Sequence, residues 1–254
     1  MHSERRKVIK EMLENKPFVS LKELFALFPD VSGMTIRRDI DFFEKNGDAI
    51  KVRGGARSMK FITTTMEDKF PNRMLKNRRS KELLVKKAIE YLEPGRSIFM
   101  DSGTTMLTMA SFLPDERLTI TTTGPNIALE LLNKSNVIVN IIGGMVTRDN
   151  ISVTGTLALK FLNAINIDTA FIVPSGVSAS AGLSCGNFSE CETKKLIVEK
   201  SRLVVALIDE NKLDRSLPYS FCGIKDIDIL ITSAILPSEL EKQAKEAGVK
   251  IIHA

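Results

Sequence analysis

Histidine is almost missing from this 254-residue chain: His2 and His253, at its two extremes, are the only ones. A His-dependent catalytic triad, a HExxH metal site and a three-histidine zinc site all need residues that the sequence does not offer. Cysteine is scarce and odd in number, Cys185, Cys191 and Cys222, with no Cys-x-x-Cys pair. A disulfide framework and a zinc site are both disfavoured by that count. No run of 18 or more apolar residues exists, so no membrane span is expected. The opening MHSERRKVIKEMLE is charged and amphipathic, unlike an apolar leader. Neither GxxxxGK[ST] nor GxGxxG is found, so nucleotide binding is not implied. Together these absences predict a soluble cytoplasmic protein with no cofactor, no metal and no membrane partner.

What is present is divided unevenly along the chain. Residues 1–81 hold 19 Lys and Arg against 11 Asp and Glu, a net charge of +8, while residues 82–254 hold 17 against 20, a net of −3. A basic N-terminal part on a slightly acidic body fits a polyanionic partner, or else a merely solvated charged surface. A hydrophobic content of 43% is enough for a sizeable core.

Three helical patterns follow one another at the N-terminus. The first covers about 4–15, with Val8, Ile9, Met12 and Leu13 on one face. The second covers about 20–28, with Leu21, Leu24, Phe25 and Phe28 at helical spacing and Ser20 as its N-cap. After the short link Pro29-Asp30-Val31-Ser32, the third runs over about 33–46 and stops at Asn46-Gly47. This is the order of a helix-turn-helix. In the third helix Ile36, Ile40 and Phe43 share one side. Met34, Arg38, Asp41 and Lys45 take the other, flanked by Thr35 and Arg37. Such a helix can pack through its isoleucines and offer arginine forks to guanine edges in a major groove. The following Asp48–Gly55 reads as a wing. In it Ile50 and Val52 alternate with Lys51 and Arg53, which either touch phosphates or line an exposed edge strand.

Residues 57–81 are rich in Lys and Arg and irregular, with Thr63-Thr64-Thr65 and Pro71. They read as a linker. From about residue 80 helices alternate with short apolar β-branched runs at 97–101, 118–122, 137–142, 169–173, 203–208, 229–232 and 249–252. That alternation predicts an α/β domain with a mainly parallel sheet covered on both faces. The domain plan is therefore 1–57 for a small winged helix, 58–80 for a basic linker and 81–254 for the α/β domain. In such a sheet, ligands bind beyond the carboxyl ends of the strands. Asp101-Ser102-Gly103-Thr104-Thr105 there opens a helix and suits an anion, or simply caps the helix. Gly143-Gly144 allows close ligand approach or makes a tight turn. Ser189 and Glu192 have capping-box spacing, Glu190 could serve the helix dipole, and Lys212 could reach an anion or remain solvated.

Residues 35–56, TIRRDIDFFEKNGDAIKVRGGA, resemble the signature of DeoR-type repressors: Thr-Ile-Arg-Arg-Asp, then a glutamate, a glycine and a basic wing closing in Gly-Gly-Ala. The match departs at Arg53, where that family commonly has histidine, and at Gly33-Met34. Residues 97–233 resemble the sensor domain of the same family, whose fold is related to ribose-5-phosphate isomerase. DSGTT at 101–105, TTGPNIALEL at 122–131, Gly143-Gly144, Gly155, the stretch 182–190 and Asp209-x-x-Lys212 carry that match. Ser184, Cys185 and Gly186 depart from the commoner Thr-Thr-Pro.

The resemblance implies a repressor of a carbohydrate operon. Double-stranded operator DNA would be read by Met34, Thr35, Arg37, Arg38, Lys51 and Arg53. A phosphorylated sugar would be sensed by Asp101, Ser102, Gly103, Thr104, Thr105, Thr122, Gly143, Gly144, Glu190 and Lys212. It also implies a homo-oligomer, a dimer or tetramer, and no catalytic residues. The alternative is a sugar-phosphate isomerase using Glu190 as base and Lys212 as clamp. A sensor with no DNA role conflicts with residues 35–56.

Overall fold

The computed structural model describes residues 2–16, 18–59 and 70–254. They fall into two compact units, residues 1–64 and 65–254.

The first unit runs α1 (His2–Asn15), β1 (Phe18–Ser20), α2 (Leu21–Leu27), α3 (Gly33–Lys45), β2 (Ala49–Val52) and β3 (Gly55–Ser58). The strands form one antiparallel sheet in the order β1-β3-β2. Ile9, Leu13, Val19, Leu24, Ile36, Ile40, Phe43, Ala49 and Ala56 make its core. Ser20 caps α2 in a full capping box with Glu23. The backbone and hydroxyl hydrogen bonds from Ser20, with Lys16 beside them, hold the Glu23 carboxyl down at about 2. Ser32 caps α3 by accepting from the Thr35 amide at 3.2 Å.

Three points depart from the sequence reading. The wing is a hairpin rather than one basic-faced strand: Arg53 and Gly54 form its turn, and Ile50 is as exposed as its neighbour Lys51. The strand β1 is three residues long, too short to show any period. On α2 only Leu24 is fully buried, and Phe25 is exposed.

The Gly-Gly of the wing has a steric cause. Gly54 takes φ +90°, and Gly55 lies against β1, where an added Cβ would sit 2.2 Å from the Val19 carbonyl oxygen. That obstacle is backbone, so it cannot rotate away. Gly55→Ala is expected to destabilise the first unit by about 1–3 kcal/mol, the usual cost of overpacking. Thermal unfolding of the variant checks this; an unchanged first-unit transition would refute it.

In the second unit α4 (Phe70–Leu75) and α5 (Arg78–Ile89) precede β4 (Ser97–Met100), α6 (Thr104–Phe112), β5 (Leu118–Thr122), α7 (Pro125–Leu131) and β6 (Val137–Ile141). A hairpin follows, β7 (Met145–Thr147) and β8 (Ser152–Thr154), then α8 (Thr156–Asn163) and β9 (Ile167–Ile172). Next come β10 (Gly176–Ser178), β11 (Gly182–Cys185), α9 (Phe188–Lys200), β12 (Ser201–Ile208) and β13 (Tyr219–Cys222). The chain closes with β14 (Ile229–Thr232), α10 (Ser238–Glu246) and β15 (Lys250–His253). The α/β expectation holds: seven parallel strands lie in the order β15-β14-β12-β9-β4-β5-β6. Their apolar side chains feed two cores. One face packs on α5, α6 and α7 through Leu84, Val85, Met106, Met109, Ile127 and Leu131. The other packs on α8, α9 and α10 through Ala158, Leu162, Ile197, Val198, Leu240 and Ala244. The small sheet β10-β11-β13 and the β7–β8 hairpin, both unforeseen, are built from strands of three or four residues.

Of the expected linker 58–80, residues 60–69 lie outside the described residues, with Thr63–Thr65 among them, and 70–75 is helical. Among the described residues no helix is long and apolar enough to cross a membrane.

Candidate functional sites: a helix-turn-helix surface and a cationic crevice

On α3 the inward stripe is Ile36, Asp39, Ile40 and Phe43. Asp39 is the surprise, a carboxylate only 1% exposed at a core position. It is clasped from α1: Arg5 Nε donates to Oδ2 at 2.5 Å and Arg6 Nε to Oδ1 at 2.8 Å. Burial would raise its pKa, but the hydrogen bonds from the two guanidinium groups outweigh that and hold it below the ordinary aspartate value. Asp39 therefore locks α3 onto α1 and fixes the direction in which the rest of α3 points.

The opposite side of α3 stays open. Met34, Arg37 and Arg38 are exposed near its N-terminus. Thr35 is half-buried, with its hydroxyl 2.9 Å from that of Ser32. Lys51 does not extend freely from the wing: its Nζ donates to Asp41 on α3 at 2.5 Å, and its amide donates to Glu44 at 3.0 Å. Lys51 thus ties wing to helix, and a phosphate would have to compete with Asp41 for it. Arg53 stands exposed at the hairpin turn.

The second site lies where the parallel sheet changes direction. From β4 the chain proceeds outward through β5 and β6; from the adjacent β9 it proceeds the other way through β12 and β14. Crevices form beyond the strand ends at such a switch point. Here the crevice is lined by Ser102–Thr105 after β4, Val173–Ser175 after β9, and Asp209, Asn211, Lys212 and Arg215 after β12. The side chains of α4, α5 and α9 complete it, together with Asn150 from the β7–β8 loop. Gly103 at φ +104° begins α6 without a side-chain cap, so the first amides of that helix face the crevice unshielded by a cap.

A lysine that the sequence reading passed over sits at the crevice floor. Lys194 on α9 is only 2% exposed. Its Nζ donates to Asp101 Oδ2 and to the Val173 carbonyl at 3.1 Å, and lies 3.3 Å from Glu190 Oε1. Burial alone would lower its pKa; the two carboxylates reverse this and hold the ammonium above the usual lysine value. Asp101 stands behind the lining rather than in it, and its oxygens also accept from the Ser102 and Val173 amides. It shapes the loop that a ligand would touch.

Glu190 lies in the first turn of α9, where a carboxylate suits the helix dipole, and it also has fixed side-chain partners. Its Oε2 accepts from Asn150 Nδ2 at 2.6 Å, and Asn150 Oδ1 in turn accepts from Arg73 on α4. An unbroken polar chain thus runs Arg73–Asn150–Glu190–Lys194–Asp101. The cap of α9 is Asn187, which accepts from the Glu190 amide at 3.1 Å, and Ser189 lies inside the helix. The expected Ser189–Glu192 capping box is therefore corrected: the helix begins one residue before Ser189.

Three other expected residues fall away from the crevice lining. Thr122 is fully buried and its hydroxyl accepts from the Gly124 amide at 3.0 Å. Gly143 and Gly144 form the turn before β7, and a Cβ on Gly144 would sit 2.5 Å from the Thr154 carbonyl oxygen. Close packing of the hairpin accounts for that glycine.

Lys212 lines the crevice, joined by residues no motif had indicated: Arg73, Lys76, Asn77, Lys81 and Arg215. Lys81 is 4% exposed and donates to the carbonyls of Arg73 and of Lys76, the latter at 2.6 Å. Burial, and then the charges of Lys212 and Arg73 against the opposing pull of Asp209, push its pKa down. The cysteines are free, and burial raises the thiol of Cys222 to about 12 and lifts that of Cys185 as well. Neither is a ready nucleophile.

Comparison with known proteins covers both units. The DeoR-like helix-turn-helix model matches residues 5–61, and the DeoR C-terminal sensor domain model matches residues 76–234. The transcriptional regulator GolR of Listeria innocua is 31% identical over 252 residues, covering 98% of this chain and 97% of its own. The transcriptional regulator GlpR of Haloferax volcanii is 29% identical over 251 residues, covering 98% and 97%. A solved ribose 5-phosphate isomerase from Methanocaldococcus jannaschii overlaps 54% of this chain and 55% of its own at 17% identity and TM-score 0.40, too little to carry an argument. Relatives matched end to end are transcriptional regulators rather than enzymes. With a DNA-binding unit ahead of a sensor unit, both matched in chain order, this chain belongs to the DeoR family of transcriptional regulators.

Proposed function

We propose that the protein represses a carbohydrate operon, that α3 and the wing read double-stranded operator DNA, and that a phosphorylated sugar in the crevice controls this reading. One observation carries the effector assignment. The cationic side chains of Lys81 and Lys212 stand in the same crevice as the uncapped α6 N-terminus and the hydroxyls of Ser102, Thr104 and Thr105. Helix amides with adjacent ammonium groups are the ordinary means of holding a phosphate. On the DNA side, Met34, Thr35, Arg37 and Arg38 occupy the helix turn that reaches base edges, and Arg53 the position of a phosphate contact. We assign the reader to 1–57, the basic connection to 58–80 and the sensor to 81–254, with α4 contributing to the crevice from the connection. A dimer or tetramer follows from the two-fold symmetry of operators, which need paired readers.

The isomerase alternative requires Glu190 as a mobile base. With Asn150 on Oε2 and Lys194 beside Oε1, that carboxylate is fixed instead.

A gel-shift titration on the DNA upstream of the protein's own gene, with excess competitor DNA and a panel of sugar phosphates, tests the reading. Specific retention, changed by one sugar phosphate, is the expected result. Specific retention that no sugar phosphate alters would overturn the effector assignment. No specific retention on that DNA or on any fragment from a genomic selection would overturn the operator assignment.

A further inference from the structure

We propose that the β6 edge of the seven-stranded sheet is the surface on which a second copy of this chain seats. The two edges of that sheet differ in kind. At the β15 edge, KIIH, Lys250 and His253 are exposed, and the Lys250 ammonium lies over the Tyr91 ring at 5.4 Å. Charge of this sort is how an edge strand is kept from pairing with a stranger. The β6 edge, VIVNI, has no charge and no proline, and its register with β5 runs without a bulge. Among the described residues β5 is its one strand neighbour, so the outer row of β6 amides and carbonyls has no ladder partner there. Apolar side chains stand uncovered along the same edge. They are Ile138 and Ile141 on β6, Leu129 and Leu132 three residues apart on α7, which packs beside β6, and Met145 and Val146 on β7, which starts four residues after β6 ends. All six are 47–68% exposed.

Area, shape and charge all point to a second copy as the occupant. Burying one aliphatic side chain is worth about 1.5–3 kcal/mol, or about 60–120 Å² at about 25 cal/mol per Å². With half to two-thirds of that still open on each, the six side chains leave roughly 200–500 Å² of apolar surface in water. One side of a standard interface buries about 800 Å², of which about 56–65% is apolar. The edge therefore supplies a large part of what one side of a stable dimer needs. The complement of an uncharged strand edge is another such edge. Two β6 strands running antiparallel about a two-fold axis make an isologous contact that closes on itself and leaves neither edge open. Within the stripe there is no charge to be stranded, and by the end of α7 Glu130 and Lys134 give its rim one charge of each sign, which a two-fold copy can match. The inference rests on the reading above only in its need for paired readers; the operator and effector assignments do not enter it.

Sedimentation equilibrium of the full-length protein, from submicromolar to high micromolar concentration, tests this. The parent should sediment as a dimer or as a larger even-numbered assembly. Combining Leu132→Lys with Ile138→Lys sets like charges against each other across the seam and should weaken self-association by roughly a hundredfold or more, taking a dimer to a monomer or a tetramer to a smaller species. Ile235→Lys, the same change at an exposed side chain elsewhere, should leave the mass as in the parent. A melting curve shows whether the double variant folds. Should it fail to fold, the milder Ile138→Cys decides in its place: a short bismaleimide should join two chains of that variant, seen on a denaturing gel, and should not join those of the parent or of Ile235→Cys. An assembly unmoved by Leu132→Lys with Ile138→Lys, or an Ile138→Cys variant that cross-links no more than the parent, would overturn the assignment of this edge while leaving paired readers standing. A parent that stays monomeric throughout would overturn both.

Discussion

Replacing Lys194 by methionine is expected to lower the melting temperature of the second unit by about 6–20 °C. The side chain is of similar length and the site is apolar on one flank, so volume is nearly conserved. What changes is charge. Asp101 and Glu190, both almost wholly buried, lose the cation between them. Removing one member of a buried ion pair costs about 3–5 kcal/mol, because the remaining charge is stranded without water. For a domain of 150–250 residues each kcal/mol moves the midpoint by about 2–4 °C. The raised pKa of Lys194 means that this contribution is present throughout the neutral range and is lost only at strongly alkaline pH, above the ordinary lysine value. Combining Lys194→Met with Asp101→Asn and Glu190→Gln removes the stranded charges and should recover more than half of the loss. A single variant that melts within about 2 °C of the parent would show that the two carboxylates do not depend on this ammonium. So would a triple variant less stable than the single one.

Lys194 illustrates which parts of the molecule were legible in its sequence. The sheet strands were found because each is a continuous β-branched run bounded by turn residues, and seven such runs alternating with helical patterns admit little but a parallel sheet. The loop 101–105 was found because position relative to a strand end is visible in sequence. The crevice walls were not. Arg73, Lys76 and Arg215 come from segments with no period, and only the tertiary fold brings α4 beside the end of β12. Yet three central residues had left a trace. Asp39 falls in the stripe 36, 39, 40, 43; Lys81 in 81, 84, 85, 88; Lys194 in 190, 191, 194, 197, 198. Each is a charged residue at a position where helical spacing demands an apolar one. Burial of an ionised group is costly enough that it occurs only with a partner or a ligand. A lysine or aspartate inside an apolar stripe therefore announces a polar contact from elsewhere in the fold, though not which one. The opposite error came at Ser189 and Glu192. Their spacing fits a capping box, but Asn187, two residues earlier, competes for the same role and has the extended backbone that a cap requires.

Asp39→Ala and Arg38→Ala are adjacent substitutions whose effects should differ in kind. Asp39 holds α3 to α1 through two guanidinium groups, and its loss leaves Arg5 buried without its carboxylate. At about 3–5 kcal/mol this approaches the whole stability of a unit of some sixty residues. The first unit should be largely unfolded in the variant at 37 °C, with operator binding abolished and the transition of the second unit unmoved. The pH dependence should change as well. Because the two arginines depress the Asp39 pKa, its contribution is complete above the unfolded value of about 3.9 and disappears as pH falls below it. The parent's first unit should lose stability on acidification below about pH 4, and the variant should lack that part of the slope. Arg38 is exposed on the opposite side of the helix, so Arg38→Ala should leave both transitions within about 0.5 kcal/mol of the parent. Its effect should appear only on DNA. Specific binding should weaken by about 1–3 kcal/mol, roughly 5–150-fold, with non-specific binding changed far less. Calorimetry and gel-shift titration on the same two proteins separate a residue that aims the helix from one that reads with it. If Asp39→Ala bound operator normally, α3 would not need its tether to α1. If Arg38→Ala did, the base contact would belong to another residue of the exposed turn, with Arg37 the next to test.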